Sequence, residues 1–191
     1  MQNTTSSVPE VEGHHMSTSS EQGHSARAVA NSILSLAEVM GIHDLTPMKL
    51  QKLIYYCHAW HLALKGEPLI KEAIEAWNYG PVISDIYQAF KRFGANPIPN
   101  SGFASDVERV DGRFQEIVPF VENPGTLAFI SSVLSRYGQI KPFQLSNMTH
   151  RDGEPWKVMH DQFPGSLPSS TEIPNDLIKQ CFENFASAKS K

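Results

Sequence analysis

Residues 46–64 read TPMKLQKLIYYCHAWHLAL, and this stretch decides the fold. Thr46 stands where an N-cap hydroxyl accepts a backbone N–H. Pro47 takes the first helical position, where its missing N–H costs nothing. Leu50, Leu53, Ile54, Cys57, Trp60, His61 and Leu64 then recur at spacings of three and four, and Gly66 stops the run. The pattern predicts a helix between Thr46 and Gly66 with one apolar stripe.

Upstream, Ala26, Val29, Ala30, Ile33, Leu34, Ala37 and Met40 predict a helix over 25–40, capped by Ser25 and ended by Gly41. Downstream, Leu69 to Trp77 reads as a short strand or extended stretch broken at Gly80-Pro81. Pro81 opens an expected third helix carrying Val82, Ile86, Tyr87, Phe90 and Phe93, with Gly94 as its end. Residues 94–103 are a loop by composition. Val107–Val110 and Arg113–Val118 flank Asp111-Gly112, a two-residue hairpin signal. Thr126–Tyr137 reads as a fourth helix and Pro142–Met148 as a short fifth. Residues 150–171 read as irregular, with one turn around Trp156–His160. Pro174 opens a last helix with Leu177, Ile178, Cys181, Phe182 and Phe185 inward. The expected fold is mainly α (α+β): a single helical domain over 25–188, of about five to six helices with a small β-hairpin element.

Residues 1–24 hold three acids (Glu10, Glu12, Glu21), no Lys or Arg, and almost no large apolar side chain. Such a segment buries too little surface to offset its ordering entropy, so a disordered tail is expected. Met16 offers a second candidate start. The tail lacks the charged and apolar regions of an export signal. Across the 191 residues, 16 Lys and Arg face 20 Asp and Glu, a formal net charge of -4. With no basic face in evidence, a dedicated nucleic-acid binder is disfavoured. No apolar run approaches the ~20 residues of a membrane span. Two cysteines, Cys57 and Cys181, exclude a disulfide framework, and a cytoplasmic location is expected.

Gly-rich phosphate cradles, H-E-x-x-H and paired C-x-x-C motifs are absent from the sequence. Cys57, His58 and His61 share one helix, and His150 and Asp152 can be imagined converging on them. A zinc site needs three or four ligands, and the spacing does not require that convergence. Cys57 can equally be posed as a nucleophile beside a histidine, or as an inert core thiol. Glu72 with Glu75, and Asp152 with Glu154, are acid–base pairs of a kind that 20 acids produce by chance. Lys49, Lys52 and Lys65 fall on one helix and Lys91-Arg92 ends another, which reads as solvated faces and a helix C-terminus. No catalytic residue, metal or cofactor is assigned.

The 46–64 stretch is followed by G66-E-P-L69, then I74-E-A-W-N-Y-G-P-V82, I86-Y-Q-A-F-K-R-F-G94 and T149-H-R-D-G-E-P-W156. In this order the motifs resemble the Panacea domain family, the SocA-like antitoxin domain of phage- and mobile-element-associated bacterial proteins. The resemblance covers residues 25–185. It implies a non-enzymatic role: type II antitoxins that neutralise a partner toxin by direct protein contact, the toxin being encoded by a neighbouring gene. It also implies, for one branch, an adaptor that hands its toxin to a protease; a protease or a chaperone is thus a second implied partner. The family-motif residues carried over as partner-binding candidates are Gln51, Lys52, Tyr55, Tyr56, His58, Trp77, Tyr79, Gly80, Pro81, Thr149, His150 and Trp156. Tyr55, Trp60 and Trp77 read as core more than as partner anchors. Gln51 is polar within the motif and is expected to satisfy backbone groups of the 77–81 segment, with Thr149 and His150 doing the same near Trp156. The rival readings are a proteolytic adaptor or orphan interaction protein, a Cys/His-dependent enzyme using Cys57, His58, His61 and His150, and a DNA-binding regulator.

Overall fold

A computed structural model describes residues 23–163, 167–168 and 170–188. In chain order it holds α1 (Ala26–Val39), α2 (Pro47–Lys65), β1 (Glu75–Trp77), β2 (Gly80–Val82), α3 (Ser84–Phe90), β3 (Asp106–Val110), β4 (Arg113–Ile117), α4 (Pro124–Tyr137), α5 (Pro142–Met148), α6 (Pro155–Gln162) and α7 (Asn175–Ala188). A 3-10 turn, Lys91–Phe93, extends α3. The expected tail over 1–24 falls mostly outside the described residues. Its last member, His24, donates its N–H to Leu69 O (2.8 Å) and accepts from Lys71 N (3.1 Å), which straps the chain's entry beside Ile70.

α2 is the axis of the molecule. Thr46 Oγ1 accepts from Lys49 N, and Gly66 closes the helix in the left-handed region at φ 80°. Around it stand α1, α3, α4, α5, α7 and β2. Every residue from Lys49 to Ala59 is therefore buried, and the expected single stripe is in fact a helix covered on all sides. Only its ends reach solvent: Met48 in the first turn is exposed, and so are parts of the C-terminal turns. Trp60 and His61 are half-buried, and Leu64, expected inward, is exposed. Aromatic packing fixes the neighbours. Tyr56 stacks on Tyr137 of α4 (4.5 Å, 5° between planes), and Phe182 of α7 meets Tyr55 and Trp60 edge-on at 6.1 and 5.0 Å.

Three expectations are corrected. Pro81 does not open a helix: it lies in β2 opposite Ala76, in a hairpin whose register is Glu75↔Val82, Ala76↔Pro81 and Trp77↔Gly80. β2 pairs with β1 alone, so a residue without an N–H is tolerated on it. α3 begins at Ser84 instead. The turn expected near Trp156–His160 is the eight-residue helix α6. The described residues thus hold seven α-helices and two two-stranded antiparallel sheets, which is the mainly α (α+β) fold expected, with a helix and a hairpin more than the five to six helices and one hairpin counted. The second hairpin, β3–β4, forms where Asp111-Gly112 placed it, with both turn residues at positive φ (49° and 78°).

Candidate functional site

The β1–β2 hairpin carries the W-N-Y-G-P motif, and side chains from three helices hold its backbone. From α2, Gln51 makes a two-pronged contact with Ile83: Nε2 donates to its carbonyl (3.0 Å) and Oε1 accepts its N–H (2.9 Å). Lys52 Nζ donates to the carbonyls of Tyr79 (2.9 Å) and Pro81 (3.0 Å). From α5, Ser146 Oγ donates to Tyr79 O (3.2 Å). From α6, Trp156 Nε1 donates to Trp77 O (2.7 Å). The free edge of β1 is closed by the chain before α7, where Ala76 N donates to Thr171 O and Ile173 N to Ile74 O, both 2.7 Å. This clamping demands glycine at the turn. Gly80 has φ 99°, and a Cβ there would lie 2.6 Å from Thr149 Oγ1 and 2.7 Å from Lys52 Nζ.

Thr149 and His150 support this clamp from behind. Thr149 Oγ1 donates to Ser146 O (2.7 Å). His150 Nδ1 donates to the same carbonyl (2.9 Å) and lays its ring against Trp156, 4.0 Å between centroids. Gln51, Lys52, Thr149 and His150 are thus spent on placing and backing one hairpin, and Gln51 reaches Ile83, two positions beyond the expected 77–81 segment.

What the hairpin presents is aromatic. Tyr79 is 81% exposed although its carbonyl is doubly bonded. Trp77 is half-buried, its indole N–H on Glu75 Oε2 (2.7 Å) and its ring 5.0 Å from Tyr87 of α3. Together with Met48, Val82, Ile86, Lys91 and Leu167 they line a cleft of about 770 Å³ floored by Gln51 and Lys52. Tyr87 and Met48 were not singled out in the sequence, because each reads there as one more residue of an amphipathic helix.

The other candidates lie elsewhere. Tyr55 and Tyr56 are buried on the far side of α2, and Tyr55 Oη donates to the buried carboxyl of Glu154 (3.4 Å). Burial pushes Glu154 up to about 7. His58 is buried and accepts Ile70 N–H at Nδ1 (3.3 Å), so Nε2 carries the proton it donates to Asn175 Oδ1 (2.9 Å). Burial draws it down to about 4. His58 thereby ties α2 to the start of α7.

The Cys/His constellation is not assembled. His61 Nδ1 donates to Glu67 O (2.7 Å), His150 belongs to the hairpin clamp, and burial pushes the Cys57 thiol well up, away from the thiolate a nucleophile needs. Among the described residues no group of three His, Cys, Asp or Glu side chains stands where it could hold a metal ion. The posed acid pairs are also separated in use: Glu72 accepts the N–H of Ala26 (2.8 Å), Glu75 the indole of Trp77, and Glu154 the hydroxyl of Tyr55 while Asp152 is exposed. No described helix is long and apolar enough to cross a membrane.

No solved structure matches the chain. Antitoxin SocA of Caulobacter vibrioides (strain NA1000 / CB15N) is 32% identical over 165 residues, covering 86% of each chain. The family model described as antitoxin SocA-like, Panacea domain, matches residues 50–157, which hold the buried helix, the clamped hairpin and its supports through Trp156. The chain belongs to the SocA-like Panacea domain family.

Proposed function

We propose that this chain is an antitoxin that neutralises a partner toxin by direct protein–protein binding, as one half of a type II pair acting in the cytoplasm, and that the toxin is encoded by a neighbouring gene. One observation carries the reading. Gln51, Lys52 and Trp156 of the family motif are buried and consumed in fixing a hairpin, while Tyr79 of the same hairpin faces solvent and Trp77 lies half-buried beside it in a cleft. Rigidly held aromatics in a concave site are what partner anchors look like. Membership of an antitoxin family supports the role, and the engagement of His61 and His150 by backbone carbonyls, with the Cys57 thiol buried and pushed up, supports action by binding rather than by catalysis.

Growth rescue tests this. Each reading frame flanking the gene is induced alone and then with this chain. A neighbour that arrests growth alone and is relieved by the chain is the expected result; two harmless neighbours would remove the reading. Within a rescuing pair, Tyr79→Ala should weaken toxin binding by about tenfold while leaving Tm within about 1 °C of the parent, because the exposed ring contributes little to the fold. Delivery to a protease is read in the same strain, as a shortened toxin half-life when the chain is present.

A further inference from the structure

α2 buries two lysines, and they differ in one respect. Lys49 is ion-paired with Asp44. Lys52, 2% exposed, meets only the carbonyl oxygens of Tyr79 and Pro81, and none of the ion pairs among the described residues includes it. A lysine ammonium has three donors, so one remains. Desolvation without a counter-charge draws its pKa down to about 7. Lys52 forms the floor of the aromatic cleft, Lys91 stands at its rim, and among the described residues no Asp or Glu lines it. The nearest acid on the hairpin, Glu75, is engaged by the indole of Trp77.

We infer that the cleft takes an extended, carboxylate-bearing segment of the toxin, its acid directed to Lys52 and Lys91 and an adjacent apolar side chain laid against Trp77 and Tyr87. This rests on the antitoxin reading and names the chemistry of its contact. A carboxylate arriving there meets the amines of Lys52 and Lys91, with no acid among the described lining residues, and supplies the counter-charge that Lys52 lacks in the free chain. The apolar wall of Met48, Val82, Ile86 and the two aromatics suits the residue beside the acid. One rival occupant has the same chemistry: the chain's own Val8-Pro9-Glu10-Val11-Glu12. The inference commits to the toxin, because neutralisation through this cleft needs it open to the partner.

The test uses the full-length chain with the toxin identified by growth rescue. Zero-length carbodiimide coupling joins a lysine amine to a carboxylate in contact with it, and mass spectrometry then identifies the acid. Lys91 is expected to couple to an Asp, Glu or C-terminal carboxylate of the toxin. Lys91→Glu should weaken binding by about tenfold or more with Tm unchanged, and Lys91→Arg should retain it. Lys52→Met, compared only if its melting shows a folded protein, should weaken binding and flatten its salt dependence. Unchanged affinity in Lys91→Glu and in a folded Lys52→Met overturns the inference while leaving the antitoxin reading intact. So does coupling of Lys91 to Glu10 or Glu12 within the complex. Failure of the parent chain to bind any neighbour-encoded toxin overturns both.

Discussion

Gln51 is a polar residue in the middle of a helix covered on every side, and its amide matches both backbone groups of Ile83. Replacing it by alanine strands a buried N–H and a buried carbonyl. Each unsatisfied group costs about 1–2 kcal/mol, so Gln51→Ala should lower stability by about 2–4 kcal/mol and Tm by roughly 5–15 °C. Thermal melting followed by circular dichroism measures this; a shift under about 2 °C would mean that Gln51 does not anchor the hairpin. Periodicity could not reveal this role. Lys49, Gln51 and Lys52 look in the sequence like the solvated face of an amphipathic helix, since hydrophobicity patterns assume that polar side chains seek water. Here each finds its partner inside, and only the motif resemblance marked Gln51 and Lys52 as unusual.

At the scale of the element, the first hairpin was half legible. The extended stretch ending at Trp77 and the break at Gly80-Pro81 were readable. The strand after the break was not, because proline just after a turn signals a helix start as readily as an edge strand. What decided between them lies far along the chain, in Lys52, Ser146 and Trp156. The second hairpin was legible because its Asp-Gly turn is self-sufficient. The dependence of β1–β2 on distant groups makes Gly80→Ala a sharp test. The new methyl must adopt φ near 99° and displace Thr149 or the Lys52 ammonium. Destabilisation beyond about 2 kcal/mol is expected, together with loss of protection of the Ile83 amide in hydrogen exchange. A variant that melts like the parent would mean that the turn is not pressed against α2.

For the whole molecule, three of the buried groups that couple folding to pH have their windows between about pH 4 and 9, and their signs differ. Glu154 is raised from 4.5 to about 7 by burial beside Tyr55, so between those values the native state holds a proton that the unfolded chain has released. Stability therefore falls as pH rises through that window. His58 is lowered from 6.5 to about 4 by burial between α2 and α7, so there the unfolded chain holds the extra proton and stability rises with pH. The two windows overlap with opposite slopes and largely cancel. Lys52 is lowered from 10.5 to about 7, which makes stability rise again above neutrality. The parent should show a Tm nearly level from about pH 4.5 to 6.5 and climbing from about pH 7 to 9, above which the buried Cys57 thiol, pushed up from 9.0, opposes the Lys52 slope. Glu154→Gln keeps the shape and the Tyr55 contact but removes one of the opposed slopes. Its stability should rise from pH 4 to 6.5 by on the order of 3 kcal/mol, the unmasked contribution of His58. Urea unfolding at half-unit pH intervals separates the cases: superimposable profiles for parent and variant would show that Glu154 and His58 do not oppose each other.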